Sequence, residues 1–66
     1  MILRVNGDSL EMAESSTVTS LVNQLGYQDK RIAIEVNEKI IPKSSHSQYK
    51  LLQDDKVEII VAVGGG

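Results

Sequence analysis

The residues that point most clearly to chemistry stand at the end of the sequence, where Gly64, Gly65 and Gly66 follow the apolar run 57–63. Glycine has no Cβ, so a glycine segment can enter a narrow space and adopt backbone angles that other residues avoid. With Gly66 taken as the biological C-terminus, a strand holds out a short flexible tail whose reactive group is the α-carboxylate. The alternative is a frayed terminus without a role, since chain ends are commonly disordered.

Side chains elsewhere give weaker signals. The single histidine, His46, stands among serines that are its immediate neighbours in sequence, and a nucleophile–base pair also needs a third orienting group and a pocket. We therefore expect a solvated loop histidine. Asp54 and Asp55 lack EF-hand spacing and indicate a turn. One histidine and no cysteine form no recognisable zinc site, so neither catalytic residues nor metal ligands are predicted.

The composition is that of one small domain. The 66 residues carry seven basic and nine acidic side chains, interleaved, with a net charge of −2. Nucleic-acid binding favours a basic stripe with stacking aromatics, so no nucleic-acid partner is expected. No apolar run approaches the roughly 18 residues of a membrane span, and residues 1–6 do not resemble a signal peptide. We expect a soluble, cytoplasmic domain without a membrane partner.

The first half of the chain predicts a hairpin followed by a helix. Residues 1–6 alternate in period two, and Asn6-Gly7 is typical of a type I′ turn into a second strand through Leu10 and Met12. Hydroxyl side chains in 14–17 supply candidates for a helix N-cap. An apolar stripe at helical spacing follows, formed by Val18, Leu21, Val22 and Leu25. Gly26 then stands where a left-handed residue ends a helix.

The second half predicts three more strands. Residues 32–36 form a third strand, 37–39 a turn, and 40–41 a short fourth strand that Pro42 restricts to a sheet edge. The final strand begins at Val57. One main helix against a mixed sheet of four to five strands is an α+β domain in the β-grasp (ubiquitin-like) order, with the first and last strands parallel and adjacent. We assign residues 1–63 to this domain and 64–66 to the tail.

Period two also divides the final strand into two faces. Val57, Ile59 and Val61 are assigned to the core. The opposite side, with neighbours from the third strand, forms a modest apolar patch ringed by charge: Glu58, Ile60, Ala62, Ala33 and Glu35. Such a patch is a candidate partner-docking face. The alternative is an ordinary scatter of exposed apolar side chains, and a register slip of one residue would invert the two faces.

Taken together, these features resemble the ubiquitin-like sulfur carriers of bacteria, and most closely the ThiS family of thiamine biosynthesis. The resemblance spans the whole chain. The segments that carry it are 2–7, the helix 17–25, Val36-Asn37, Ile41-Pro42 and the C-terminal 63–66. The terminal Gly65-Gly66 pair is the specific part, because the internal matches are mostly core positions that fit other β-grasp proteins.

The resemblance implies a carrier rather than an enzyme. An E1-like adenylating enzyme of the ThiF type would use ATP to activate the Gly66 carboxylate, with Gly64 and Gly65 entering its active site. The acyl-adenylate would become a thiocarboxylate, with sulfur from a cysteine desulfurase pathway, and pass that sulfur to a thiazole synthase of the ThiG type. The carrier itself would bind no cofactor.

Two alternatives stay open at this point. One is the sulfur carrier of molybdopterin synthesis, which uses the same terminal chemistry. The other is a noncovalent β-grasp interaction module whose glycine tail is incidental; it predicts that removal of Gly65 and Gly66 leaves activity intact.

Overall fold

The computed structural model describes residues 1–62, so the predictions for Val63 and for the tail 64–66 lie outside the described residues. The helices and strands in chain order are β1 (Ile2–Val5), β2 (Asp8–Glu11), α1 (Val18–Gln24), β3 (Ile32–Val36), β4 (Lys39–Ile40), a 3₁₀ helix (Lys43–Ser45) and β5 (Lys56–Val61).

The five strands form one mixed sheet in the order β2-β1-β5-β3-β4. β1 and β5 are parallel, whereas the pairs β1–β2, β3–β5 and β3–β4 are antiparallel. Aliphatic side chains of α1 and of the strands share one buried cluster, so the helix covers one face of the sheet. This arrangement confirms the predicted β-grasp fold with adjacent, parallel first and last strands.

Two tight turns set the strand pairing at opposite edges of the sheet. Asn6 and Gly7 have φ values of 49° and 87°, as the predicted type I′ turn requires. Asn37 and Glu38 repeat this geometry with φ values of 52° and 72°. The second turn needs only these two residues, so β4 begins at Lys39, one residue earlier than predicted.

Both ends of α1 are capped by local hydrogen bonds. Thr17 is the N-cap: its Oγ1 accepts from the Ser20 N–H at 3.2 Å, and the Ser20 Oγ accepts from the Thr17 N–H at 3.2 Å. At the other end Gly26 has a φ of 77°. The N–H groups of Gly26 and Tyr27 donate to the carbonyls of Asn23 and Val22, which is a Schellman ending. The predicted cap segment and the predicted helix stop are confirmed.

The core is aliphatic and lies between α1 and the sheet. Its buried members are Leu3, Val5, Met12, Val18, Leu21, Val22, Ile34, Val36, Ile41, Leu51, Val57 and Ile59. Leu25, the last residue of the predicted helical stripe, is only half-buried and packs against this cluster.

His46 is buried, so the expectation of a solvated loop histidine was wrong. Its Nε2 lies 2.9 Å from the Ile41 carbonyl oxygen, and its own carbonyl accepts from the Thr19 N–H at 3.1 Å. The short 3₁₀ helix turns the ring inward, and the hydrogen bond to Ile41 satisfies a polar atom that burial would otherwise make costly. The surrounding serines gave no sign of this packing.

Asp55 is also more than a turn residue. Its carboxylate is buried and accepts from Asn37 Nδ2 at 2.9 Å and from the Leu52 N–H at 2.8 Å. The Asn37 side chain in turn accepts from the Lys56 N–H at 3.0 Å. These bonds tie the β3–β4 turn to the start of β5.

Candidate docking face and the C-terminal strand

β5 is the middle strand of the sheet and leads to the glycine tail. On one side it pairs with β3 along most of its length, from Val57 opposite Val36 to Val61 opposite Ile32. On its other side β1 pairs only with the first two residues, Lys56 and Val57. The part of β5 nearest the tail is therefore held by one neighbouring strand.

The Asn6 side chain extends this parallel pairing by one further step. Asn6 Oδ1 accepts from the Ile59 N–H at 2.7 Å, and Asn6 Nδ2 donates to the Ile59 carbonyl at 3.2 Å. The primary amide acts here as a substitute for strand backbone. The sequence analysis assigned Asn6 only to the turn, and no local signal reveals the second role because Ile59 lies 53 residues away in the chain.

The predicted docking residues lie on the side of the sheet that α1 leaves uncovered. Ala33 is directly opposite Ile60, and Glu35 is directly opposite Glu58. Ile60 is 59% exposed, and both glutamates are half-buried. The docking role of these residues stays a prediction.

Two more residues complete the description of this region. Ala62 follows β5, is exposed, and donates its N–H to the Arg31 carbonyl at 2.8 Å. Ile40, which the sequence analysis did not include, stands opposite Glu35 on β4 and is 72% exposed. We call the set Ala33, Glu35, Ile40, Glu58 and Ile60 the open face.

Charge is unevenly distributed on this side of the sheet. Glu35 and Glu58 form an acidic pair at the centre of the open face. Arg4 and Lys56, which are also paired across neighbouring strands, form a basic pair nearer the start of β5. The open face is thus apolar and acidic, with positive charge at one end.

One concave region of the molecule is lined by none of the predicted site residues. A cavity of about 540 Å³ is bounded in part by Tyr27, Arg31, Lys43 and His46. Within the described part of the chain, no three His, Asp or Glu side chains are grouped so that they could hold a metal ion. Residues 1–62 also include no helix that is long and apolar enough to cross a membrane.

Comparison with known proteins identifies the family. The ThiS family profile matches residues 3–66. The chain belongs to the ThiS family. A crystal structure of the ThiS thiamine biosynthesis protein from Geobacter metallireducens superposes with a TM-score of 0.84 at 30% identity and covers all of both chains.

Curated relatives of two kinds resemble the chain. The sulfur carrier protein ThiS of Bacillus subtilis is 29% identical over 66 residues, which is 98% of this chain and all of that protein. A thiazole synthase of Paramagnetospirillum magneticum is 39% identical over 66 residues. The match covers all of this chain but only 20% of that protein, so this chain spans about a fifth of that relative's length.

Proposed function

We propose that this ThiS family member carries sulfur as a thiocarboxylate on Gly66 and delivers it for thiazole assembly in thiamine biosynthesis. The observation that carries the proposal is the ThiS match, which runs through residue 66 and so includes the glycine tail. Sulfur carriage in thiamine biosynthesis is the role of the family, and the chemistry at Gly66 is the part that we propose.

The chemistry follows from the poor reactivity of a carboxylate. An adenylating enzyme of the ThiF type would let a Gly66 carboxylate oxygen attack the α-phosphorus of ATP, with pyrophosphate as the leaving group. The resulting mixed anhydride has AMP as a good leaving group. A persulfide from a cysteine desulfurase pathway would attack the acyl carbon and displace AMP, and a thiol would then reduce the acyl disulfide to the thiocarboxylate, with the donor sulfur leaving in a disulfide. The thiocarboxylate is then a soft nucleophile for a thiazole synthase of the ThiG type.

In this proposal the chain is a co-substrate and its partners supply the catalysis. Gly64 and Gly65 present no side chain and can follow a narrow channel into a partner's active site. The open face docks on the adenylating enzyme while β5 directs the tail. A thiazole synthase that contains a segment 39% identical to this chain supports the choice of acceptor enzyme.

The test is the intact mass after incubation with a ThiF-type enzyme, ATP and a sulfur source. We expect a gain equal to the exchange of one oxygen for sulfur, and no gain in a variant that lacks Gly66. Because the buried cluster that the structure describes is formed by residues between Leu3 and Ile59, the shortened variant should melt at the same temperature as the full chain. An unmodified full chain beside an active partner enzyme would contradict the proposal and favour the noncovalent module.

A second measurement separates the two sulfur pathways. The thiocarboxylate form is offered in parallel to thiazole synthase and to the large subunit of molybdopterin synthase. Sulfur transfer to thiazole synthase alone is expected from the ThiS match, whereas transfer to the molybdopterin enzyme alone would contradict the thiamine assignment.

A further inference from the structure

The centre of the open face carries two carboxylates in an unfavourable arrangement. Glu35 and Glu58 occupy directly opposite positions on the antiparallel strands β3 and β5, and both are half-buried. Like charges at directly opposite positions destabilise a sheet, whereas one acidic and one basic side chain at the same places would stabilise it. Lys56 lies two residues before Glu58 on the same side of β5, but the residues directly opposite Glu35 are Glu58 and Ile40, neither of them basic. The stability of the fold therefore does not account for a second carboxylate opposite Glu58.

Protection of a sheet edge does not account for it either. Charged side chains are common on edge strands, where they prevent unwanted pairing. Glu58 lies just past the pairing of β1 with β5, so edge protection explains Glu58 at most, because Glu35 has β5 on one side and β4 on the other. Exposed apolar side chains also adjoin the carboxylates: Ile40 is opposite Glu35, and Ile60 lies two residues beyond Glu58 on β5. Apolar neighbours lower the local dielectric constant and so strengthen the field of the two charges.

We propose that Glu35 and Glu58 together bind one basic side chain, an arginine, of the adenylating enzyme, while Ile40 and Ile60 pack around it. This inference rests on the proposed function and names the chemistry of the docking partner. The planar guanidinium has several donors in a fixed fork and can bridge two carboxylates, with charge-assisted hydrogen bonds to each. Docking replaces the repulsion between the glutamates with two attractions.

The basic pair on the same side of the sheet favours one orientation of the adenylating enzyme on the open face. Arg4 and Lys56 face each other near the start of β5, on the side away from the tail. A basic group of the partner is repelled there and attracted to the acidic pair, and such complementarity selects one orientation and speeds association. The favoured orientation places the partner's active site toward the end of β5.

The test compares three variants in pyrophosphate exchange catalysed by the ThiF-type enzyme. Glu35→Gln and Glu58→Gln each remove one charge of the pair. Glu11→Gln is the matched control, because Glu11 is an exposed carboxylate on β2, opposite Ile2 on the same side of the sheet. All three variants change the net charge equally.

We expect each pair variant to raise the carrier concentration at half-maximal exchange about tenfold, as for the loss of one charged hydrogen bond. For the control Glu11→Gln this concentration should change little, and the maximal rate of pyrophosphate exchange should stay the same in all three variants. The melting temperatures of the pair variants should equal or exceed that of the unaltered chain, because the repulsion is relieved. If the two glutamates instead stabilised the fold, the melting temperatures of both pair variants would fall.

A charge reversal provides an independent check. Glu35→Lys creates an opposite-charge pair with Glu58, so the variant should melt at a higher temperature and yet lose exchange activity at carrier concentrations that saturate the unaltered chain. Pair variants that match Glu11→Gln in exchange, or that melt at a lower temperature, would overturn the inference alone. No exchange with the unaltered chain would instead overturn the proposed function, and the inference with it.

Discussion

Ile59 and Ile60 are consecutive residues of one strand that meet opposite environments. Ile59 is 6% exposed and stands opposite Ile34 in the core. Ile60 points to the other side of the sheet, opposite Ala33, and is mostly exposed. The comparison shows that α1 and one face of the sheet provide the stability of this small domain. The exposed residues of the open face are thus less restricted by packing than those of the core face.

The two faces also differ in how strictly they restrict residue type. The buried residues of the core face are aliphatic side chains that fill the space under α1, and such interiors are close-packed and sensitive to changes in volume. The open face combines isoleucine, alanine and a repulsive glutamate pair, which a selection for stability alone would remove. Substitutions on the core face should accordingly change the free energy of unfolding, whereas substitutions on the open face should change the kinetics of adenylation.

The largest effect is expected for Ile59→Ala. Removal of a buried isoleucine side chain leaves a cavity and should lower the free energy of unfolding by about 2–5 kcal/mol. That loss is large beside the roughly 5–15 kcal/mol that stabilises a typical domain. Urea denaturation followed by circular dichroism measures it. If Ile59→Ala lowered the free energy of unfolding no more than Ile60→Ala on the open face does, the two faces would not differ in their contribution to stability.

A smaller loss of stability is expected for substitution of Asn6, whose side chain connects the β1–β2 turn to β5. Asn6→Ala removes two hydrogen bonds to Ile59 and places alanine at positive φ, so we expect a loss of about 1–3 kcal/mol of stability. Asn6→Gly is the matched control, because it keeps the backbone angle and removes only the side-chain bonds.

Hydrogen exchange tests the origin of that loss. In both Asn6 variants the Ile59 amide should exchange faster than in the unaltered chain, since its N–H donates to the missing side chain. Unchanged protection of this amide would contradict the role of Asn6 in holding β5.

The smallest effect on stability is expected for Ile60→Ala. An exposed side chain contributes little to the fold, so the free energy of unfolding should change by no more than about 0.5 kcal/mol. We expect weaker docking instead, which would be measured as an increase in the carrier concentration that gives half-maximal adenylation by the ThiF-type enzyme. Unchanged adenylation kinetics would remove Ile60 from the docking face.

The candidate site could be predicted in part. Strand periodicity placed Glu58 and Ile60 on one face and Ala33 and Glu35 beside them, because the alternation of side chains follows from backbone geometry alone. It did not find Ile40, although the sequence placed this residue in the fourth strand, because the alternation in a strand of two residues does not show which side chain faces outward. The chemistry of the tail stays a proposal that rests on the resemblance to the ThiS family, and residues 64–66 lie beyond those that the structure describes.

The sequence by itself determined the features whose cause is local. Asn6-Gly7 specifies a turn at positive φ, and Gly26 ends a helix whose apolar stripe recurs every three or four residues. Each of these depends on conformational preferences within a few residues. They were sufficient to predict the order of helix and strands, and with it the β-grasp fold.

Only the tertiary structure decided which distant residues meet. It turned His46 into the interior, brought the Asn6 amide to the backbone of Ile59, and set Glu35 directly opposite Glu58. These contacts depend on strand register and on packing between segments far apart in the chain. No local preference encodes them, because the free energy that selects them comes from the assembled core and its paired strands.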